Sequence, residues 1–392
     1  MEIENKRKIV LVTNHLTPYR RKFYDDFFNA CKKMNIDFTV LLMTKREPNR
    51  NWDYDALKVD YAHLMKGSHS SFPINNHLNF EVVDKLKEIK PDIVLMAGSY
   101  MYYTNWLVLF KKKKLNIPVV YWNEAHFNEK RDYNKLILKV REYFRGLIFR
   151  HFDGYWYSGE MSKKFVTHYS GTSAKYYFFP NFIDNEVYKK GSEKSDIEVA
   201  EIKNKFGIPL QNIVIIIPAR LSPEKGIQLF IDLLAKADKS KSLTVLIPGT
   251  GPYKDVIAEK ISKSGLDIRL LGFQGQEVMT DLYSITKIFM LPSLSDPNPL
   301  TCIEALWSGL PLFISNHVGN YPEVIEEGVN GYVFDYSKSE EAVNKLNLIL
   351  NKDEAWHENA KRKSLEIANS IYKSELVIEN GLKEMARDFF KD

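Results

Sequence analysis

The segment LPSLSDPNPLTCIEALWSGLP, residues 291–311, joins a buried strand to a helix through an acidic, proline-rich turn. Asp296 lies in the turn, and Glu304 stands eight positions later, about one turn into the predicted helix. Pro297 and Pro299 restrict the backbone before the helix, where a residue without an N–H group is well tolerated. The segment therefore predicts a strand, a rigid turn and a helix that starts close to residue 300.

The start of this helix has the properties of a phosphate site. Leu300 and Thr301 present free backbone N–H groups at the positive end of the helix dipole, where anions bind. Glu304 can accept two hydrogen bonds from a sugar diol. A diphosphate beside a ribose is half of a nucleotide-sugar, so the segment predicts a site for such a molecule.

The loop ARLSPEKG, residues 219–226, supplies positive charge in the same half of the chain. Arg220 and Lys225 are suited to hold a diphosphate and to neutralise the charge that builds as it departs. The alternative is a solvated loop with two surface charges. The local sequence alone leaves both interpretations open.

Two further strand-to-loop turns follow. Gly249 and Gly251 would allow a ligand to approach the backbone closely. Lys254 occupies the place of the third glycine of a dinucleotide fingerprint, which disfavours an NAD site. Phe273 is either the neighbour of a nucleobase or an ordinary core aromatic.

Length and composition favour a globular protein with two domains. The chain has 392 residues, of which 44% are hydrophobic and 27% charged. No apolar run approaches the length that spans a bilayer, and the charged start MEIENKRK argues against a cleaved signal peptide. Two cysteines cannot build a disulfide framework, so we expect a cytoplasmic location.

Short apolar runs alternate with helical patterns along the whole chain, as in parallel strands that are covered on both faces. The predicted strands are 8–14, 37–43, 92–98, 117–123, 154–160, 176–181, 212–220, 243–249, 267–273, 287–293, 310–316 and 331–335. This pattern predicts an α/β protein with two doubly wound domains that face each other across a cleft.

We place the first domain at residues 1–184 and the second at residues 195–369, with a polar linker near 184–195. A long amphipathic pattern at about 370–392 predicts a helix that packs back on the first domain. Ligands of such sheets bind outside the carboxyl ends of the strands, where the loops described above lie.

Several motifs resemble the donor half of glycosyltransferase family 4, the group 1 transferases: ARLSPEKG, GTGP, LGF, DPNPLTCIEALWSGLP and NYPEVIEEGVNGYVF. The resemblance covers the second half closely, and the first half only in outline through DGYWYSGE and FPNFID. It implies a GT-B fold, a nucleotide-sugar co-substrate with no further cofactor, and transfer that retains the anomeric configuration without a metal.

The resemblance also implies roles for individual residues of the second half. Arg220 and Lys225 would bind the diphosphate, Glu304 the ribose, and Leu300 and Thr301 would act through backbone N–H groups. The acidic residue that contacts the transferred sugar is usually Glu in this family. Asp296 stands there in this chain, and its side chain is about one bond shorter, which leaves the donor sugar undetermined.

The first half contains candidate acceptor residues. The loop after the first strand carries four of them, Asn14, His15, Tyr19 and Arg20, although a plain polar loop would look similar. Glu124 and His126 follow a strand on the same side. His126 resembles the family histidine near the reacting sugar, whereas a lone loop histidine is more often structural.

The first half is also strongly basic. Residues 1–185 contain 30 Lys and Arg against 20 Asp and Glu, a net charge of +10, and the remainder has a net charge of −5. The pattern at 129–152 predicts a basic helix with interleaved apolar residues, and KKKK at 111–114 adds a second basic patch. These features favour contact with the anionic inner face of a plasma membrane rather than with nucleic acid, or else a helix packed on the sheet with a solvated basic face.

The sequence therefore predicts a retaining hexosyltransferase that uses a UDP-sugar, or alternatively a GDP-sugar, and a glycan or lipid-linked acceptor of bacterial surface polysaccharide or glycolipid synthesis. The rivals are an epimerase or a phosphorylase on the same fold, and a non-catalytic membrane-binding nucleotide sensor. The Asp53-Tyr54-Asp55 triplet lies in the wrong domain for a donor metal, and no histidine spacing suggests zinc.

Overall fold

The chain is described by a computed structural model that covers residues 6–17, 20–45, 58–70, 76–128, 135–238 and 240–390. It divides into two compact units. Unit 1 comprises Met1–Glu124, Tyr133–Phe182 and Ser374–Asp392, and unit 2 comprises Ala125–Asp132 and Ile183–Lys373.

Unit 1 is built on a parallel sheet. The strands of unit 1 are β1 Arg7–Thr13, β2 Ile36–Leu42, β3 Ala62–Leu64, β4 Ser68–Ser70, β5 Asn76–Leu78, β6 Ile93–Met96, β7 Val119–Asn123, β8 Gly154–Tyr157 and β9 Lys175–Phe178. Of these, β4 and β5 form a separate, short antiparallel pair. The seven sheet strands have the order β3-β2-β1-β6-β7-β8-β9. The order therefore reverses between β1 and β6, as in a doubly wound fold.

The unit 2 sheet follows the same plan. Its strands are β10 Ile213–Ile216, β11 Leu243–Pro248, β12 Ile268–Gly272, β13 Ile288–Leu291, β14 Leu312–Ser315 and β15 Gly331–Phe334. All neighbouring strands are parallel in the order β12-β11-β10-β13-β14-β15, the Rossmann order 3-2-1-4-5-6. The order reverses between β10 and β13.

Helices lie between most successive strands of each sheet, and others precede β10 or follow β15. Those of unit 1 are α1 Arg21–Lys33, α2 Glu81–Ile89, α3 Tyr103–Leu115, α4 Lys135–Phe149 and α5 Glu160–Tyr169. Those of unit 2 are α6 Asn185–Ser192, α7 Asp196–Lys205, α8 Ile227–Ala235, α9 Lys254–Ser264, α10 Gln276–Ser284, α11 Leu300–Trp307, α12 Tyr321–Val324, α13 Ser339–Leu350 and α14 Glu354–Ile371. The last helix, α15 Ser374–Phe389, returns to unit 1.

An aromatic cluster forms much of the unit 1 core. Trp156 and Phe179 stack with ring centroids 4.0 Å apart, and Phe27 packs on both rings. Helix α15 contributes to this cluster because its Met385 side chain is fully buried and its sulfur accepts a hydrogen bond from the Trp156 indole at 3.0 Å. The final helix is thus part of the unit 1 core.

The prediction of an α/β protein with parallel sheets is confirmed, and each of the twelve predicted strands is present. The structure adds β3, β4 and β5, which are too short and too exposed to produce an apolar run. Among the residues that the structure describes, no helix combines the length and apolar character needed to cross a bilayer.

Two sequence-based boundaries differ from the structure. The segment 184–195, predicted as a linker, largely forms α6, because Tyr188 is buried in the unit 2 core. The pattern at 370–392, predicted as one helix, is divided between the end of α14 and α15, which begins at Ser374. The break occurs where the chain passes from unit 2 to unit 1.

Replacing Met385 with alanine should lower the free energy of unfolding of unit 1 by about 2–5 kcal/mol, because a fully buried side chain is removed. Leu376, on the same helix, is 50% exposed, and its replacement with alanine should change the free energy by only about 0.5 kcal/mol. Urea unfolding followed by tryptophan fluorescence measures both values. Equal effects of the two changes would contradict the assignment of α15 to the core.

Candidate active site

The point where the strand order of unit 2 reverses gathers most of the predicted site. The loop after β10 carries Arg220 and Lys225, and the loop after β13 carries Asp296. Because β10 and β13 are parallel neighbours, both loops leave the same edge of the sheet. The backbone joins them, since the carbonyl of Glu224 accepts hydrogen bonds from the amides of Leu294 at 2.8 Å and Ser295 at 3.2 Å.

Lys225 and Asp296 form an ion pair across these two loops. The ammonium of Lys225 donates to Oδ2 of Asp296 at 2.5 Å, and the side chains are only 19% and 13% exposed. The sequence analysis assigned the two residues to different parts of the donor and did not predict this contact. Arg220, on the same loop as Lys225, is exposed.

Gly249 and Gly251 bring one loop close to another. A Cβ atom at Gly249 would lie 2.0 Å from the carbonyl oxygen of Ala219, and one at Gly251 would lie 2.2 Å from that of Leu221. The close approach predicted for a ligand is thus made by the backbone that flanks Arg220. This contact fixes the loop that carries the cations.

Helix α11 begins where the sequence places it. Pro299 precedes the helix in an extended conformation, and Leu300 and Thr301 form its half-buried first turn. Amides in a first turn have no acceptor within their own helix, so they remain available to an anion. Glu304 lies one turn further along.

Two tyrosine hydroxyls hold the carboxylate of Glu304. Tyr283, on α10, donates to Oε2 at 2.7 Å, and the hydroxyl of Tyr188, on α6, lies near enough to the same carboxylate to lower the pKa of Glu304. Burial raises the pKa of Glu304, and the two hydroxyl donors oppose that shift by stabilising the ionised form. Sequence reasoning did not identify either tyrosine, because Tyr283 lies on a helix whose pattern resembles that of an ordinary core helix and Tyr188 lies in the polar segment that was predicted as a linker.

The loop after β14 also belongs to this site. The amide of Gly319 donates to the carbonyl of Asp296 at 2.8 Å. A Cβ atom at Gly319 would lie 1.9 Å from the carbonyl oxygen of Pro297 and 2.7 Å from the ring of His126. The structure therefore brings His126, which is 3% exposed, to the turn that carries Asp296. The sequence analysis had noted the segment from Asn320 onward but not Gly319.

Phe273 follows β12 and is 81% exposed. The alternative interpretation of this residue as a core aromatic is therefore wrong. An exposed ring at the carboxyl end of a strand is free to stack on a planar ligand.

The predicted acceptor residues of unit 1 fall into two groups. In the first, Arg20 pairs with Glu124 at 2.5 Å and lies 4.4 Å from the ring of Trp122. The other carboxylate oxygen of Glu124 accepts a hydrogen bond from Asn181 at 2.7 Å, a contact that sequence reasoning did not predict. Tyr19 lies outside the described residues.

The second group follows β1 directly. The carbonyl of Asn14 accepts a hydrogen bond from the amide of Thr44 at 2.9 Å. His15 is buried and lines a cavity of about 160 Å³ together with Thr44, Lys45 and Lys58. Asn14 and His15 thus lie at the carboxyl end of β1, beside the loop that follows the neighbouring strand β2.

Part of unit 2 is similar to a known protein family. Residues 198–363 match the family model for group 1 glycosyl transferases. The chain is 25% identical to N-acetyl-alpha-D-glucosaminyl L-malate synthase of Bacillus anthracis over 50% of each chain. It is also 25% identical to alpha-monoglucosyldiacylglycerol synthase of Acholeplasma laidlawii over 79% of this chain and 70% of the relative. The chain therefore spans about half the length of the Bacillus relative.

Solved structures share the fold. Anabaena HepE in complex with UDP superimposes with a TM-score of 0.73, at 18% identity, over 97% of this chain and all of the other. WaaG, a glycosyltransferase involved in lipopolysaccharide biosynthesis, gives a TM-score of 0.64 at 13% identity over 98% of this chain and all of the other. The predicted GT-B architecture of two Rossmann-like domains is confirmed.

The raised pKa of Glu304 predicts how stability depends on pH. Above the ordinary value of 4.5 the unfolded chain loses this proton first, so the folded state binds more protons and the free energy of unfolding falls as the pH rises. A Glu304→Gln variant lacks the effect, and it should gain stability relative to the native chain as the pH is raised from 4.5 through the raised pKa. Urea unfolding across this interval measures the difference, and parallel pH curves would contradict the prediction.

Proposed function

We propose that this chain, as a member of the group 1 glycosyltransferase superfamily, transfers a hexose-type sugar from a nucleoside-diphosphate sugar to a glycan or a lipid-linked acceptor. The observation that carries the proposal is the arrangement within unit 2. There, Lys225 and Asp296 meet beside the start of α11, and Glu304 lies one turn into the same helix. Cations and free amides for a diphosphate are thus next to a carboxylate for a ribose.

The donor would bind along α11. The diphosphate would lie at the amides of Leu300 and Thr301, with Arg220 and Lys225 balancing its charge. Glu304 would accept hydrogen bonds from the two ribose hydroxyls, and Phe273 would stack on the base. We favour UDP over GDP, and the fold shared with the UDP complex of Anabaena HepE supports this preference.

The chemistry would be a substitution at the anomeric carbon. As the bond to the diphosphate breaks, negative charge builds on the leaving oxygens, and Arg220, Lys225 and the α11 amides stabilise it. The acceptor hydroxyl would attack from the side of the departing diphosphate, which takes its proton, so the configuration is retained. This route needs no metal ion, because the protein's own cations stabilise the leaving group.

Asp296 and His126 would contact the transferred sugar. Asp296 is held by Lys225 on one side and through its backbone by Gly319 on the other. His126 packs against the same turn. A carboxylate fixed in this way accepts hydrogen bonds from sugar hydroxyls, so the two residues would orient the sugar rather than form a bond to it.

The acceptor would bind to unit 1, near Arg20 and Glu124. These side chains neutralise each other and remain partly exposed, with 15% and 26% of their surfaces accessible. Such a pair can donate to and accept from the hydroxyl groups of a glycan. Asn14, His15 and Tyr19 would extend the site.

Unit 1 would also dock on an anionic membrane, as a peripheral protein at the inner face of the plasma membrane. Helices α3 and α4 expose Phe110 (77%), Tyr143 (67%) and Phe144 (48%), and an apolar groove of about 490 Å³ lies between them. Lys113 lines the same groove and is exposed, whereas Lys112 is paired with Asp153 at 2.9 Å. Exposed aromatic rings next to lysines are typical of surfaces that enter the headgroup region of anionic bilayers. Residues 129–134 of the predicted basic helix lie outside the described part of the chain.

Replacing Lys225 with alanine should lower kcat for sugar transfer by about 10²–10³-fold, because one preorganised donor to the leaving group is lost. Lys263, which is 72% exposed on α9, provides the control, since Lys263→Ala should leave turnover unchanged. Release of nucleoside diphosphate from UDP-sugars in the presence of lipid-linked glycans measures both. Circular dichroism shows whether the fold is retained, and normal turnover of a folded Lys225→Ala variant would remove Lys225 from the mechanism.

Replacing Phe110 and Phe144 together with serine should reduce sedimentation with vesicles that contain anionic lipid, because two exposed apolar side chains are removed from the docking surface. The matched control replaces Ile197 and Leu348 of unit 2, which are 73% and 52% exposed, with serine. The control variant should sediment like the native chain. If both double variants sediment alike, the docking surface is wrongly placed.

A further inference from the structure

We infer that Tyr188 and Tyr283 are positioning residues that orient Glu304 toward the ribose hydroxyls and so set the preference of the site for a ribonucleotide. The inference rests on the proposed function of Glu304. It adds two residues from helices outside the loops that carry the rest of the predicted donor site. It also gives α6, which the sequence suggested was a linker, a part in donor binding.

The contacts to Glu304 come from two directions. The Tyr283 hydroxyl donates to Oε2 at 2.7 Å from α10, and the Tyr188 hydroxyl approaches the same carboxylate from α6, where the charge of Glu304 contributes to raising the pKa of Tyr188. Both tyrosines are almost fully buried, at 6% and 1% exposure, and their rings pack edge to face with centroids 5.7 Å apart. Neither hydroxyl can therefore turn to solvent in place of the carboxylate.

This arrangement restricts the rotation of the Glu304 carboxylate before a ligand binds. A glutamate side chain has three rotatable bonds, so an unsupported one loses considerable freedom when it binds a ligand. An ionised carboxylate has about four acceptor positions and no donor. The hydrogen bond from Tyr283 and the neighbouring Tyr188 hydroxyl restrict the plane of the carboxylate and leave acceptor positions for the two hydroxyls of a ribose, which act as donors.

The position of Tyr188 depends on close packing of α6. Gly191 lies about one turn after Tyr188, and a Cβ atom there would be 2.9 Å from Cγ2 of Thr280 and 3.3 Å from its carbonyl oxygen. The absence of a side chain at Gly191 lets α6 pack closely on α10, the helix that carries Tyr283. Both hydroxyls consequently reach one carboxylate.

The experiment compares UDP with 2′-deoxy-UDP by isothermal titration calorimetry. The native chain should bind UDP about tenfold or more tightly than 2′-deoxy-UDP, because a hydrogen bond to a charged group is lost. In Tyr188→Phe and in Tyr283→Phe this ratio should fall several-fold toward one, with affinity lost for UDP and nearly unchanged for 2′-deoxy-UDP. If the tyrosines had only a structural role, their loss would lower the affinity for both nucleotides equally.

Tyr372→Phe is the matched control. Tyr372 is 2% exposed in the same core cluster, and its hydroxyl has no hydrogen-bond partner among the described residues. This variant should keep the native ratio. If the native chain prefers UDP to 2′-deoxy-UDP and both phenylalanine variants keep the same preference, the inference fails while the proposed role of Glu304 stands. If the native chain does not discriminate, both are overturned.

Discussion

The ion pair between Lys225 and Asp296 is the contact on which the proposed donor site depends. It joins the loops that follow the two central strands of unit 2. The backbone fixes both loops, since the carbonyl of Glu224 accepts hydrogen bonds from two amides of the loop after β13 and the amide of Gly319 donates to the carbonyl of Asp296. Because the pair is largely withdrawn from water, each partner compensates the charge of the other. The protein therefore keeps a cation and a carboxylate at the reversal point before any ligand is present.

This pairing gives the proposed site an ordered charge pattern. The start of α11 and the exposed Arg220 supply positive potential for a diphosphate, while Asp296 prevents Lys225 from being an isolated buried cation. One turn along the helix the sign changes at Glu304, whose charge two tyrosines stabilise. A ligand with an anionic end and a neighbouring diol matches this sequence of charges.

The sequence predicted those parts of the fold that local patterns determine. Continuous apolar runs marked each long strand, and the prolines before Leu300 marked the start of α11. The three-residue strands β3, β4 and β5 left no such signal. Helix α6 was missed because its polar surface outweighs Tyr188, whose burial depends on α10 and α11.

The site was predictable only in part, for a related reason. The types and spacing of Arg220, Lys225, Asp296 and Glu304 indicated a nucleotide-sugar, but their mutual contacts depend on how loops from different strands meet. The contact of Tyr283 with Glu304 and the packing of His126 on Gly319 could not be predicted for the same reason, since the two residues of each pair lie on different elements.

A crystal structure of the chain soaked with UDP would show whether α11 holds the nucleotide. We predict phosphate oxygens within hydrogen-bond distance, about 2.7–3.2 Å, of Lys225 and the amides at the start of α11, with both ribose hydroxyls bonded to Glu304. UDP bound elsewhere in the chain, or no bound UDP at saturating concentration, would contradict it.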